Sequence, residues 1–130
     1  MIKTIEYIDG VVRMIDQTRL PSEKEFIDCR TIEEVGHAIK TMVIRGAPAI
    51  GVAAAMGVSL GADSIEASTF EGFYQELEEK CNHLGQSRPT AVNLAWAIKR
   101  MKNVAQSNKS LSIIDLKSRL KEEALTILTE

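Results

Sequence analysis

The sequence predicts an α+β fold, a small antiparallel sheet of about three strands followed by a bundle of about five helices. Three observations carry this. β-forming residues flank Asp9-Gly10, a two-residue hairpin signal. From Thr31 onward, apolar residues recur at helical spacing. The stretch after Pro48 is apolar on every side and rich in alanine and glycine, as befits a helix in the middle of a bundle.

Each element follows from a local signal. Ile2, Thr4, Ile5, Tyr7 and Ile8 make the first strand, and Val11, Val12, Met14 and Ile15 return as the second. After Leu20-Pro21-Ser22, Glu25-Phe26-Ile27-Asp28-Cys29 reads as a third. Thr31 with Glu34 is a capping box, opening a helix over 32–42 with Val35, Ala38, Ile39 and Met42 on one face. A connector leads to a helix from Pro48 to about Gly61. Proline suits a first helical turn, where its missing N–H is not needed. Ser68 and Glu71 form a second capping box before a helix ending near Leu84-Gly85. A fourth helix is expected from Pro89 to about Gln106, with Leu94, Ala95, Ile98 and Met101 inward and Lys99 and Lys102 outward. The fifth starts near Ile113, and Leu116, Leu120, Ala124 and Ile127 stay in phase to the end, so the pattern is still running where the chain stops. The expectation is one domain over 1–130, with 1–30 as the sheet part and 31–130 as the helical part.

The chain's 130 residues suffice for one ordinary core. Sixteen basic and eighteen acidic side chains leave a net charge of −2, which argues against the broad basic surface that nucleic acid requires. The uncharged run 46–62 falls short of the ~20 residues a bilayer needs, and no charged start followed by an apolar segment marks a signal peptide. The sequence thus reads as cytoplasmic, with neither nucleic acid nor membrane as partner. Cys29 and Cys81 have no CxxC or Cys/His metal spacing and read as buried or half-buried reduced thiols. His37 and His83 read as solvated or structural, Glu76, Glu78, Glu79 and Lys80 as a solvated face, and Trp96 as core or interface. No catalytic residue, metal ligand or cofactor is expected among the 130 residues.

Two stretches carry more chemistry, Arg45-Gly46-Ala47-Pro48 and Ser87-Arg88-Pro89-Thr90. Each sets an arginine just before a proline that reads as a helix start. A helix start exposes unpaired N–H groups and about half a positive charge. The guanidinium adds a planar fork of donors suited to phosphate or carboxylate. Gly46 allows close backbone approach, so its N–H and that of Ala47 are candidate oxyanion donors. Thr90 and Asn93 are hydrogen-bond partners suited to sugar hydroxyls. Either turn alone reads more readily as a surface turn; the pair, beside a small-residue helix, points to an anion-binding site.

The same residues carry a resemblance. Ile5-Glu6-Tyr7, Ile15-Asp16-Gln17-Thr18 with Leu20-Pro21, Arg45-Gly46-Ala47-Pro48-Ala49-Ile50-Gly51 and Ser87-Arg88-Pro89-Thr90-Ala91-Val92-Asn93-Leu94 resemble the N-terminal part of the methylthioribose-1-phosphate isomerase family along nearly the whole chain. That superfamily includes ribose-1,5-bisphosphate isomerase and the alpha, beta and delta subunits of the exchange factor for translation initiation factor 2. The resemblance implies an aldose–ketose isomerisation in methionine salvage, from 5-methylthioribose 1-phosphate to 5-methylthioribulose 1-phosphate. Arg45, Gly46, Ala47 and Arg88 match substrate-binding positions, with Thr90 and Asn93 as possible accessories. In the family a cysteine and an aspartate perform the chemistry, in a C-terminal Rossmann-like domain that this chain does not contain. Neither Cys29 nor Cys81 matches that cysteine. The implied partners are the sugar phosphate, the C-terminal catalytic domain and a second copy in a homodimer; the isolated chain is expected to be inactive. The competing reading is a regulatory or binding module of the translation-factor type, sensing a phosphorylated ligand or mediating assembly.

Overall fold

The computed structural model describes residues 5–8, 10–16, 25–41, 43–44 and 46–129. Ile2, Thr4, Asp9, Leu20, Pro21, Ser22, Met42 and Arg45, on which parts of the sequence reading rest, lie outside the described residues.

Three strands, β1 (Ile5–Ile8), β2 (Val11–Ile15) and β3 (Phe26–Cys29), form an antiparallel sheet in the order β1-β2-β3. The hairpin register pairs Ile8 with Val11 and Tyr7 with Val12, and Gly10 takes the positive φ of 76° that such a turn requires. Alternation then sorts the faces. Val12 and Met14 are buried, while Arg13 between them points outward and pairs with the carboxylate of its cross-strand neighbour Asp28 at 2.8 Å.

Five helices follow: α1 (Ile32–Lys40), α2 (Ala47–Asp63), α3 (Phe70–Gly85), α4 (Val92–Ser107) and α5 (Ile113–Thr129). The capping box of α1 forms, with Thr31 Oγ1 accepting from the Glu34 N–H at 3.1 Å. Glu34 reaches back one residue further than the motif prescribes, to the Arg30 N–H at 2.7 Å. At α3 the cap is Thr69, which accepts from Gly72 N–H, so Thr69 and not Ser68 caps this helix. α4 begins at Val92, three residues later than Pro89, and its buried side is Leu94, Ala97, Met101 and Ala105. Ala95 is exposed.

α2 is the centre of the bundle. It packs against all four other helices and against β1 and β2. Every residue from 53 to 62 on it is buried, the Ser59 hydroxyl included. Ser59 is satisfied by the Tyr7 hydroxyl at 2.9 Å, which ties the sheet to the helix. Small residues set the spacing. A Cβ at Gly57 would lie 3.0 Å from Val35 Cγ1, and one at Gly61 would lie 3.1 Å from Ile32 Cδ1, so α1 and α2 approach as closely as glycine permits. The far end of α2 has no basic residue of its own; Lys117 from α5 donates to the Asp63 and Ile65 carbonyls at 3.3 and 2.8 Å. No helix among the described residues is long and apolar enough to cross a membrane.

Candidate functional site

The helix starts fall into two classes. α1, α3 and α5 cap themselves: Thr31, Thr69 and Ser112 oxygens accept from the Glu34, Gly72 and Asp115 N–H groups, and each helix carries an acidic residue in its first turn. α2 and α4 do neither. Their N-caps are Gly46 and Ala91, with no side-chain cap and no acidic residue in the first turn. These are the two helices that follow the arginine turns.

At α2, Gly46 adopts φ 95° and ψ 132°, and the helical ladder opens with Ile50 N–H donating to the Gly46 carbonyl at 3.0 Å. The N–H groups of Ala47 and Ala49 precede that bond and have no acceptor within the helix. Pro48 lies between them at the second position, with no donor to satisfy. The backbone of this turn therefore presents donors and leaves their partners to be supplied from outside.

At α4 the sequence motif takes a different shape from the one expected. Pro89 and Thr90 do not begin the helix; they form a turn closed by the Ala91 N–H and the Arg88 carbonyl at 2.9 Å. Proline favours the second position of such a turn as readily as a first helical position. Arg88, at the head of the turn, is half-buried and has no ion-pair partner among the described residues. Thr90 is exposed and Asn93 is half-buried in the first turn of α4.

Packing brings these two helices together. A Cβ built on Gly51, one turn into α2, would lie 3.6 Å from the Asn93 carbonyl oxygen and 3.7 Å from Asn93 Cβ. The first turn of α4 thus packs on α2 one turn from its start, and both helices begin without a side-chain cap or an acidic residue. Each such start carries a partial positive charge that favours an anion. Of the residues singled out from the sequence, Asn93 packs against α2, Gly46 and Ala47 open α2, Arg88 and Thr90 lie in the turn before α4, and Arg45 lies outside the described residues.

The titratable groups elsewhere give no nucleophile. Burial pushes the Cys81 thiol up to about 12 and the Cys29 thiol up to about 11, the latter helped by the carboxylates of Glu34 and Asp28. Both thiols are therefore protonated and inert at neutral pH. No group of His, Cys, Asp and Glu among the described residues could hold a metal ion. The sequence reading missed a cleft of about 510 Å³ between α1 and α3, where His37 and His83 line the same groove beside Gly36 and Ser87. Its only sequence signal was the pair of histidines, each of which reads singly as solvated.

Comparisons with known proteins agree with this layout. The model of the initiation factor 2 subunit family matches residues 43–130. The chain is 52% identical over 128 residues to the methylthioribose-1-phosphate isomerase of Geobacter sp. (strain M21), covering 98% of this chain and 37% of that protein. It is 52% identical over 129 residues to that of Caldanaerobacter subterraneus subsp. tengcongensis, covering 99% of this chain and 37% of that protein. Among solved structures, 5-methylthioribose 1-phosphate isomerase from Pyrococcus horikoshii OT3 superposes with a TM-score of 0.92 at 39% identity, over 98% of this chain and 36% of that one. Subunit delta of the translation initiation factor eIF-2B from A. fulgidus superposes with a TM-score of 0.88 at 36% identity, over 98% and 36%. The chain spans a little over a third of the length of these relatives. With the three-stranded sheet, the five helices and the family match in agreement, the chain belongs to the initiation factor 2 subunit family.

Proposed function

We propose that this chain is the N-terminal substrate-binding part of an aldose–ketose isomerase acting on 5-methylthioribose 1-phosphate. One observation supports the reading: the only two helix starts without a cap or an acidic residue, among the five described, belong to α2 and α4, which touch where Gly51, one turn into α2, meets Asn93. In this reading the phosphate accepts from the backbone N–H groups of Gly46 and Ala47, and Arg45 and Arg88 supply its counter-charge. Thr90 and Asn93 bond to the sugar hydroxyls. In this reading the residues of this chain hold the substrate but do not move its protons: its two cysteines are buried thiols, and His37 and His83 line a cleft whose lining includes none of Gly46, Arg88 and Asn93. Catalytic acid–base groups then come from a further domain, and the 130 residues alone do not turn substrate over. A cytoplasmic homodimer completes the proposal; exposed Val92 and Ile114 support self-association.

The test is calorimetric titration of 5-methylthioribose 1-phosphate into the 130-residue chain and its Arg88→Ala variant. Wild-type binding weakened about tenfold or more by R88A is expected for a lost charge-assisted contact. Equal affinity of the two proteins would sink the assignment. The competing reading, a binding module of the translation-factor kind, draws on the likeness to the eIF-2B delta subunit. It gains if the chain self-associates while R88A leaves ligand affinity unchanged.

A further inference from the structure

Glycine is a poor helix former, so one in the middle of a helix calls for a packing reason. Gly36 stands in the middle of α1 and is buried. The atom closest to its missing side chain belongs to the link between α3 and α4: a Cβ built on Gly36 would lie 2.9 Å from Ser87 Oγ. No other glycine among the described residues is approached so closely. A glycine that served only to let α1 and α3 approach would be crowded by α3 itself. Yet Leu84 Cδ1, the nearest atom of that helix, stands at an ordinary 3.5 Å.

Ser87 is the residue before Arg88. The link is tied to the end of α3 by the Gln86 and Ser87 N–H groups, which donate to the His83 and Leu84 carbonyls at 3.1 and 3.0 Å. On the other side of Arg88 it is tied by the Ala91 N–H, which donates to the Arg88 carbonyl at 2.9 Å. Both ties run along the chain; the seat of the Ser87 hydroxyl on Gly36 comes from the side, from α1. Ser87 also borders the 510 Å³ cleft between α1 and α3, so a Ser87 pushed off its seat has open space to enter. A larger residue at position 36 is thus accommodated by moving Ser87. Arg88 would then move with its neighbour, and the hydrogen bonds of a planar guanidinium weaken as alignment is lost.

We propose that Gly36 is a positioning residue for Arg88: its missing side chain seats Ser87 and so fixes where the guanidinium stands. This role rests on the reading of Arg88 as a substrate-binding residue. It adds α1 to the elements on which that binding depends.

Calorimetric titration of 5-methylthioribose 1-phosphate into the 130-residue chain and its Gly36→Ala, Ser87→Ala, Arg88→Ala and paired variants tests this, with thermal unfolding of each. G36A should weaken binding about fivefold or more. Its thermal midpoint should not fall, because alanine favours the helix and the cleft gives Ser87 room. S87A removes the obstructing oxygen, so G36A/S87A should bind within about twofold of S87A. G36A should add nothing to R88A, since its effect runs through the arginine. Unchanged affinity in G36A overturns the proposal, as does an equal loss in the parent, S87A and R88A backgrounds, while Arg88 keeps its role in both cases. A loss of affinity that tracks a fall in thermal midpoint makes the role of Gly36 merely structural and overturns it too. An R88A protein that binds as the parent does, or a parent that does not bind, removes the reading of Arg88 and this proposal with it.

Discussion

The Tyr7 hydroxyl and the Ser59 hydroxyl lie 2.9 Å apart, joining the first strand to the middle of the central helix. Ser59 is fully buried, so Tyr7→Phe removes its partner and leaves a polar atom to find another. The expected cost is about 1 kcal/mol in urea unfolding. Ser59→Ala in the Tyr7→Phe background should then cost less than it does alone, because both halves of the pair are gone. Strict additivity of the two changes would show that the bond contributes nothing.

Gly46 links stability to the candidate site. Its φ of 95° is one that other residues adopt only under strain, while nothing lies within 4 Å of where a Cβ would go. Gly46→Ala should therefore cost about 1–3 kcal/mol through the backbone alone. If the chain relieves that strain by turning the peptide, the N–H groups at the start of α2 are re-aimed and sugar-phosphate affinity falls with stability. A variant that loses neither would contradict the donor role of this turn.

The α1–α2 contact makes a third prediction. Gly57→Ala places a methyl group 3.0 Å from Val35 Cγ1, an overpacking that should cost about 1–3 kcal/mol. Val35→Ala opens the space, so the double variant should be less destabilised than the sum of its parts. Thermal unfolding of the four proteins checks it, and a cycle that closes with no coupling counts against close packing here.

Alkaline pH should loosen the fold. Burial raises Cys29 and Cys81 from an ordinary 9.0 to about 11 and about 12, and burial also raises Tyr7. Because the folded values lie above the unfolded ones, this contribution is complete below about pH 9 and is lost as pH rises toward the folded values. The urea midpoint should decline above about pH 9, and Cys81→Ala should make that decline shallower. A flat midpoint across that window would count against burial of both thiols.

Acid should act through Glu123. Burial opposes its ionisation, but hydrogen bonds from Arg100 and Arg119 outweigh burial and hold the carboxyl below its usual 4.5. Its stabilising contribution is therefore present above the unfolded value and lost as pH falls through the lower folded one. Glu123→Gln should cost about 2 kcal/mol at neutral pH and flatten the acid limb of the stability curve. Guanidinium-free (urea) unfolding from about pH 7 to pH 3 measures both.

The sequence made most of the fold legible where one local interaction decides the outcome. Gly10 marks the hairpin because few residues accept its φ, and Thr31 marks α1 because its oxygen has one suitable donor within reach. Ambiguity arose where two local solutions cost nearly the same. Ser68 and Thr69 are both good caps, and the neighbour that won is the one the α3 backbone presents to Gly72. Pro89 fits either a first helical turn or a tight turn, and the latter delays α4 to Val92. That delay came with a misread phase, so Ala97 faces the core where Ala95 was expected. Of the candidate site, the two motifs were legible but not the contact between the helices that follow them. The contact of Gly51 with Asn93 depends on how α2 and α4 cross, which no spacing within either helix encodes.

The burial of α2 has a consequence for exchange with solvent. Amides in its middle are covered by the other helices and the sheet, so they open to deuterium only when the bundle comes apart. A ligand gripped at the first turn of that helix is attached to the slowest-exchanging part of the molecule. Its binding energy then raises protection along the whole length of α2, far from any atom it touches.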